Sequence, residues 1–507
     1  MKKTFLNLRR LSLLITALSL TVVSCSGDDS NPMENPGPNA PDVNFTALTS
    51  GNKIAYYNAK NLSAPASTLD ITGLQPSETI LSIDYRPATG QLYALGSTSR
   101  LYFINEQSGL ATPLGAAAFT PALASENASI DFNPTVDRIR LVTDSGQNLR
   151  LHPELGTIAA TDGSINGGGT PKIGAVAYTN SMAGASSTML YDIDFQQDKL
   201  YVQNPPNDGA LQEVGNLTID FDATVGFDII ADNSMALAAT ADAEGSKLYA
   251  INLETAKAEW IGNFGVSIKS IAFKTNPVAF AATADNKLHR FNPMNPVENA
   301  VDLMGMMEGE SIVGLDFRPA TGTLYAATNQ SRLLTVNTAN GQVTAIGSGL
   351  SPMISGSSVG FDFNPMVDKI RLVTSSGQNL RLHPDLGTVV ATDTSLNPGS
   401  PSVSGAAYTN SFATTASTAL YVLDSETNML YSQTPPNDGV LVPVGAVGFD
   451  ITSDNGFDIG GSSNMAFGLL KVNNMTAVYS FNLTTGAATK VKEFNINATA
   501  MAVGLGF

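Results

Sequence analysis

The sequence predicts an all-β fold in which one four-stranded unit recurs ten times, in two sets of five. Three observations predict it. Gly146-Gln147-Asn148-Leu149-Arg150-Leu151-His152-Pro153 returns letter for letter as Gly377-Gln378-Asn379-Leu380-Arg381-Leu382-His383-Pro384. Arg86-Pro87-Ala88-Thr89-Gly90 returns at 318–322 and Pro205-Pro206-Asn207-Asp208-Gly209 at 435–439, offsets of 232 and 230, so the halves align almost without gaps. Within each half, short runs rich in β-branched and aromatic residues alternate with Pro/Gly/Asn turns, and no segment sustains a 3.6-residue apolar period.

The first 24 residues read as a leader rather than as part of the fold. Lys2, Lys3, Arg9 and Arg10 precede an apolar run, Leu11 to Val23, that is short for a membrane span. The stretch Val22-Val23-Ser24-Cys25 then resembles a bacterial lipoprotein signal, in which the cysteine becomes the lipidated first residue. Ordinary secretory cleavage nearby is the alternative. Cys25 is the only cysteine among 507 residues, which excludes intrachain disulfides and thiolate metal clusters. Nothing basic flanks it to lower its pKa, so a lipid acceptor is favoured over a nucleophile.

Residues 25–42 carry Pro32, Pro36, Pro38 and Pro41 among Asn, Asp and Gly, the composition of a flexible tether. Asp28 and Asp29 resemble the acidic export tag of bacterial surface lipoproteins; the expected location is the outer membrane, lipid-anchored, with display outward or toward the periplasm both open. The chain has a net charge of −17, which becomes −21 once residues 1–24, with four basic and no acidic side chains, are removed. That sign opposes binding to nucleic acid and to anionic membranes, leaving the lipid as the only membrane contact expected. The expected partner is an extracellular ligand or protein, and the chain is expected to be a monomer.

The repeat unit reads as strand, turn, strand, short polar gap, strand, and a turn opened by Asn or His. Ile83-Asp84-Tyr85, Leu92-Tyr93-Ala94-Leu95 and Leu101-Tyr102-Phe103-Ile104-Asn105 form one copy. Ile130-Asp131-Phe132, Ile139-Arg140-Leu141-Val142 and Leu149-Arg150-Leu151-His152 form the next. Others begin near Gly174, Gly226 and Ile268, and the second half repeats them near Ile312, Val359, Val403 and Asn455. With a truncated copy at Val43, the count is five per half, at about 46 residues per unit. Four-stranded sheets of this size bury their faces against one another when arranged radially, which is a β-propeller.

The truncated copy at Val43 lacks a first strand, and the last residues, 500–507, look like a first strand with nothing after it. A ring closes by pairing such ends, which removes exposed edges. Two tandem five-bladed rings, closed by Ile268 to Phe273 and by Met501 to Phe507, satisfy this; so does one ten-bladed ring. The stretches Asp131-Phe132-Asn133-Pro134 through Gln147-Asn148-Leu149-Arg150, with 205–209, make each half resemble the bacterial domain-of-unknown-function 4394 family. That family occurs as single-copy proteins, and the resemblance therefore implies that each half, 43–275 and 276–507, folds as its own five-bladed propeller. It implies no catalytic residues.

Three constellations are candidates for binding. Arg150 with His152, and Arg381 with His383, sit at i and i+2 and can form a cationic site for a carboxylate, phosphate or sugar acid. Superposition of the units nonetheless puts His152 where Asn105, Asn252, Asn337 and Asn482 open turns, a local capping role. Asp84, Asp131 and Asp228, with Asp316, Asp362 and Asp458, fall at first-strand positions that line a propeller channel. Such a carboxylate ring can hold a divalent cation such as Ca²⁺, or an amine; the architectural alternative is that each Asp caps backbone amides of the adjoining turn. The third is the loop pair Tyr178-Thr179-Asn180-Ser181 and 204–209, with its counterparts at 408–411 and 434–439. Arg140 and Arg150, in the second and third strands of one unit, and Arg371 and Arg381, in those of its counterpart, are expected to pair with Asp137 and Asp368, surface pairs that add little stability. No His spacing identifies a metal triad, and no cofactor is expected.

These features favour a lipid-anchored extracytoplasmic module that binds a ligand or a protein. The alternative from a different class is a hydrolase or lyase acting on a glycan or lactone at a channel mouth. An enzyme would gather Arg150, His152 and the Asp set around one cavity.

Overall fold

A computed structural model describes residues 40–223, 225–242 and 245–507; the leader, Cys25 and most of the tether lie outside them. The described residues form forty strands in ten four-stranded antiparallel sheets, with two single-turn 3₁₀ segments. The inner two strands of a sheet are buried on both faces: all five residues of Leu92–Gly96 are buried. The outermost strands alternate between half-buried and exposed, as Ile158–Thr161 does. Inner strands therefore read as continuous apolar runs, and outer ones as period-2 patterns.

The sheets form two closed rings, and the ten-bladed alternative is excluded. Ile268–Ala272 pairs antiparallel with Asn44–Thr49, Thr46 standing opposite Ala272. It thereby supplies the inner strand that the truncated first copy lacks. Ala498–Val503 does the same for Ala279–Thr283, Ala279 opposite Val503. In the first ring the inner strands Ile80–Tyr85, Ala128–Asn133, Ile173–Tyr178, Val225–Ile229 and Ile268–Ala272 pack in cyclic order, the last against the first. In the second, Ile312–Arg318, Val359–Asn364, Val403–Tyr408, Asn455–Ile459 and Ala498–Val503 close the same way. Blades are numbered below by these inner strands.

The core is distributed between neighbouring blades. Tyr93, Leu95 and Leu101 of one sheet pack on Phe132, Ile139 and Leu141 of the next. The Tyr93 and Phe132 rings meet edge to face at 5.0 Å, and Tyr325 and Phe363 repeat the contact at 5.1 Å in the second ring. Such a pair adds about 0.5–1.5 kcal/mol beyond its buried area.

The rings touch through their inner-strand loops and the C-terminus. The Gly506 amide donates to the Thr89 carbonyl at 2.8 Å. A β-carbon on Gly506 would stand 2.0 Å from Gly90, so this approach of two backbones requires glycine. Arg86, fully buried, donates to Asp137 and Glu154 and, at 2.9 Å, to the Gly322 carbonyl of the second ring. Thr338 of the second ring also donates to Asp137, at 2.8 Å.

Candidate functional site

Each ring carries three aspartates on its axis. One equivalent inner-strand position reads Asp84, Asp131, Ala177, Asp228 and Ala272 around the first ring, and Asp316, Asp362, Ala407, Asp458 and Ala502 around the second. The two alanines leave room for three carboxylates, whose oxygens in each ring lie within 4.8 Å of one another. All six aspartates are buried.

Their oxygens are matched to backbone amides. Asp84 accepts from Tyr85 and Phe132, both at 2.7 Å. Asp131 accepts from Tyr178 at 3.1 Å. Asp228 accepts from Ile229 at 2.6 Å and Phe273 at 2.5 Å. The second ring repeats the pattern, with Asp316 on Phe317 and Phe363, Asp362 on Tyr408, and Asp458 on Ile459 and Val503. Five blades thus present five amides to six carboxylate oxygens. The bonds run from one blade to the next, not only to the adjoining turn.

The remaining oxygen belongs to Asp131 in one ring and to Asp362 in the other. Burial, then repulsion from neighbouring carboxylates, holds Asp84, Asp131, Asp316 and Asp362 well above the usual carboxylate range. Asp228 and Asp458 are pushed up to about 7 by burial, against the pull of their amide bonds. In the second ring Asp362 is hydrogen-bonded to Asp458. Two carboxyls can share a bond only through a proton, so the triad suits a retained proton. It suits Ca²⁺ poorly: that ion takes about six to eight oxygens, and five of the six here already accept amides.

The duplicated octapeptide runs outward from these aspartates. Asp131 stands opposite Arg140, and Arg140 opposite Arg150, a row repeated by Asp362, Arg371 and Arg381. Arg150 holds Asp162 with Nε at 2.8 Å and Nη2 at 2.9 Å, and Arg140 reaches the same carboxylate at 2.7 Å. Arg381 and Arg371 grip Asp393 in the same way. Burial raises the Asp162 and Asp393 pKa values, but the two arginines outweigh it and hold both acids below the usual range.

The expected pairing with Asp137 and Asp368 is therefore corrected. Those residues occupy positive-φ turn positions and take Arg86 and Arg318 of the preceding blade instead. Nor is Arg140 a surface residue, since its side chain is 1 % exposed.

His152 opens a turn, its amide donating to Thr157 and its carbonyl accepting from Gly156, as Asn105 does with Leu110 and Gly109. A bulge between Arg150 and Leu151 separates it from the regular pairing with the outer strand. Burial, then the Arg138 charge, lowers the His152 pKa. His383 Nδ1 accepts from the Asp385 amide at 3.3 Å. His289 is buried, edge-on to Phe494.

Three concavities bear on function. The largest, about 780 Å³, opens between blades three and four of the first ring. Tyr191, Met189, Met235 and Ile251 give it apolar surface, and Asn180, Asn233, Asn252 and Glu254 give it polar groups. Asn180 and Asn233 tie the two blades together by reciprocal bonds of 2.7 and 2.6 Å. A second, of about 240 Å³, lies between blades two and three of the second ring, with Arg371, Arg381, Tyr408, Pro435, Pro436 and Asn437 among its walls. A third, about 140 Å³, is the mouth of the first channel opposite the aspartates, where Glu126 and Lys269 are the charged residues.

Of the loops singled out in the sequence, Thr179 and Asn180 enter the largest cleft. Pro206–Asp208 folds into a 3₁₀ turn capped by Gly209 at φ 68°, and its Asn207 pins Arg140 at 2.8 Å. Met189, Met235 and Tyr191 carry no motif in the sequence, because a cleft between blades is made by residues about fifty positions apart.

Asp84, Asp131, Asp316 and Asp362 thus lie on the axes, Arg150 and His152 on a third strand and its turn, and Arg381 on the 240 Å³ cavity; His383 does not line that cavity.

No curated protein matches the chain. Among solved structures, a Dos1 propeller is similar at 11 % identity and a TM-score of 0.24, over 66 % of this chain and 91 % of that one. Residues 53–272 and 287–504 each match the family described as a domain of unknown function, DUF4394, and with both matches covering most of its length the chain belongs to that family as two tandem copies.

Proposed function

We propose that the chain is a lipid-anchored, extracytoplasmic binding module whose principal site is the cleft of about 780 Å³ in the first ring. The cleft carries this reading. It pairs apolar surface from Tyr191 and Met189 with polar groups of Asn233, Asn252 and Glu254, which suits a ligand with both apolar faces and hydrogen-bond donors. Catalysis at a channel mouth has less support, because the Asp, Arg and His groups do not line one cavity and the aspartates are committed to backbone amides. Cys25 after its apolar run supports the lipid anchor, and the acidic tether supports display at the cell surface.

The test is thermal melting of the chain from residue 26 onward against a panel of neutral oligosaccharides and uncharged peptides. A ligand that raises the melting temperature is expected to lose that effect in Met189→Arg, which fills the cleft from an exposed position. No shift with any member, or a shift that survives Met189→Arg, counts against the cleft. Separately, palmitate labelling in cells is expected for the wild type and not for Cys25→Ala.

A further inference from the structure

We propose that the cleft of about 780 Å³ in the first ring takes its ligand by an ammonium group, with Glu254 as the counter-charge, and that the equivalent seam of the second ring has no such preference. The inference rests on the binding reading above and adds the charge of the ligand to it.

Most polar groups of the cleft wall are spent on the wall itself. Asn180 and Asn233 bond each other, and Asn180 Nδ2 donates to the Ser187 carbonyl at 2.9 Å. Thr188 donates to the Thr179 carbonyl at 2.6 Å, and Thr179 Oγ1 accepts the Met189 amide at 2.8 Å. Glu254 and Tyr191 are not committed in this way. Glu254 is the one charged side chain that lines the cleft, and among the described residues its carboxylate has neither an ion pair nor a hydrogen bond. The Tyr191 hydroxyl also makes no hydrogen bond among them. Burial, then the Glu254 charge, raises the Tyr191 pKa, which places the carboxylate near the phenol.

An anionic acceptor near a phenol, beside apolar surface from Met189, Met235 and Ile251, is complementary to an ammonium on an apolar body. A hydrogen bond from an ammonium to a carboxylate is about twice as strong as a neutral one. The methionines adapt to the shape of the remainder of the ligand. The chain's net charge of −17 draws cations toward the cleft and opposes anions.

The turn that carries Glu254 does not call for an acid. Asn252 Oδ1 accepts the Glu254 and Thr255 amides at 3.0 and 2.9 Å. In the second ring Asn482 Oδ1 accepts the Thr484 and Thr485 amides at 2.9 and 3.0 Å. The turn is the same with threonine in place of glutamate, so the carboxylate has no part in forming it. Tyr191 and Met235 recur as Tyr421 and Met465, whereas Met189 becomes Ala419. The second seam thus keeps the phenol without the counter-charge.

The experiment titrates the chain from residue 26 onward, by calorimetry at constant ionic strength and about pH 6, with matched pairs of probes. One pair is benzylamine and benzyl alcohol; the other is a glucosamine trimer and its N-acetylated form, so the arms tell an aromatic amine from an amino sugar. At least one ammonium probe is expected to bind saturably, with one site per chain, about tenfold or more tighter than its neutral partner. Glu254→Gln should bring that probe to the level of the neutral one. Glu259→Gln, the same charge change at an exposed position outside the cleft, should leave it within about twofold. Equal binding of both members of each pair, lost in Met189→Arg, overturns this proposal and leaves the cleft reading standing. Binding that survives both Met189→Arg and Glu254→Gln, or that falls equally in Glu259→Gln, assigns it to the acidic surface and overturns the proposal. Absence of saturable ammonium binding up to about 10 mM does so too.

Discussion

Asp84 bridges two blades: its Oδ1 accepts the amide of its own neighbour Tyr85, and its Oδ2 accepts the amide of Phe132 in the next blade, both at 2.7 Å. Asp228 does the same for Ile229 and Phe273, and Asp131 takes the one amide left over. Three side chains thus satisfy one amide from each of five blades, at the axis where no neighbouring strand can.

This division of labour predicts unequal mutational costs. Asp84→Ala leaves two buried amides unpaired and should destabilise by about 3–5 kcal/mol in urea unfolding. Asp131→Asn keeps the acceptor that Tyr178 needs and replaces the retained proton with an amide donor, so its cost should stay below about 1 kcal/mol. Equal costs would falsify the count of five amides against six oxygens.

The same carboxyls predict a reversed pH dependence. Asp228 and Asp458 stand at about 7 in the folded chain, against an ordinary aspartate value near 4 when unfolded. A group whose folded pKa is raised favours folding while it is protonated, and that contribution disappears as pH rises through the folded value. Acids held below the usual range by arginine, such as Asp162, lose their contribution only below about pH 4, outside this window. The chain should therefore be more stable at pH 5 than at pH 8, by about 1–3 kcal/mol, when urea midpoints are compared. Stability that is flat or rising from pH 5 to 8 contradicts the retained proton.

The duplicated Arg-Pro-Ala-Thr-Gly motif occupies two environments. Arg86 is fully buried between the rings with Asp137 and Glu154, whereas Arg318 pairs with Asp368 and Asp385, which are 37 % and 58 % exposed. Arg86→Ala strands two acids in a buried setting and should cost about 3–5 kcal/mol. Arg318→Ala should cost about 1 kcal/mol or less, since its partners are solvated. Unfolding curves for the two variants decide this, and similar costs would show that the second ring does not bury the motif.

Ring closure is open to truncation. Removing residues 498–507 deletes the inner strand that completes the second ring and exposes the edge of Ala279–Thr283. The second half should then melt earlier and bind more hydrophobic dye, while the first half, closed by Ile268–Ala272, keeps its own transition. Simultaneous loss of both halves would point to one cooperative ring system.

Much of this architecture is legible in the chain itself. The Asp-Phe-Asn-Pro and Gly-Gln-Asn-Leu-Arg stretches recur once per ring and mark its second blade. The strand lacking at Val43 and the surplus one at the C-terminus announce ring closure, since a sheet edge must be paired. What cannot be read is set across blade boundaries. Asp137 is three residues from Arg140 yet binds Arg86, 51 positions away, because turn residues point toward the previous blade. The cleft of Tyr191 and Met235 arises from packing between sheets and leaves no local signature. The octapeptide is identical in both halves, yet its surroundings differ at Asp192 and Val422, so identity of motif does not carry identity of site.

The most direct test of the binding reading is a turnover assay. The chain from residue 26 onward is incubated with chromogenic glycosides, uronic-acid polymers and lactones, and product is followed by absorbance and mass spectrometry, beside Asp131→Asn and His152→Ala. The expected result is that every compound is recovered unchanged. Product formed over many turnovers by the wild type and lost in either variant would contradict it and establish an enzyme.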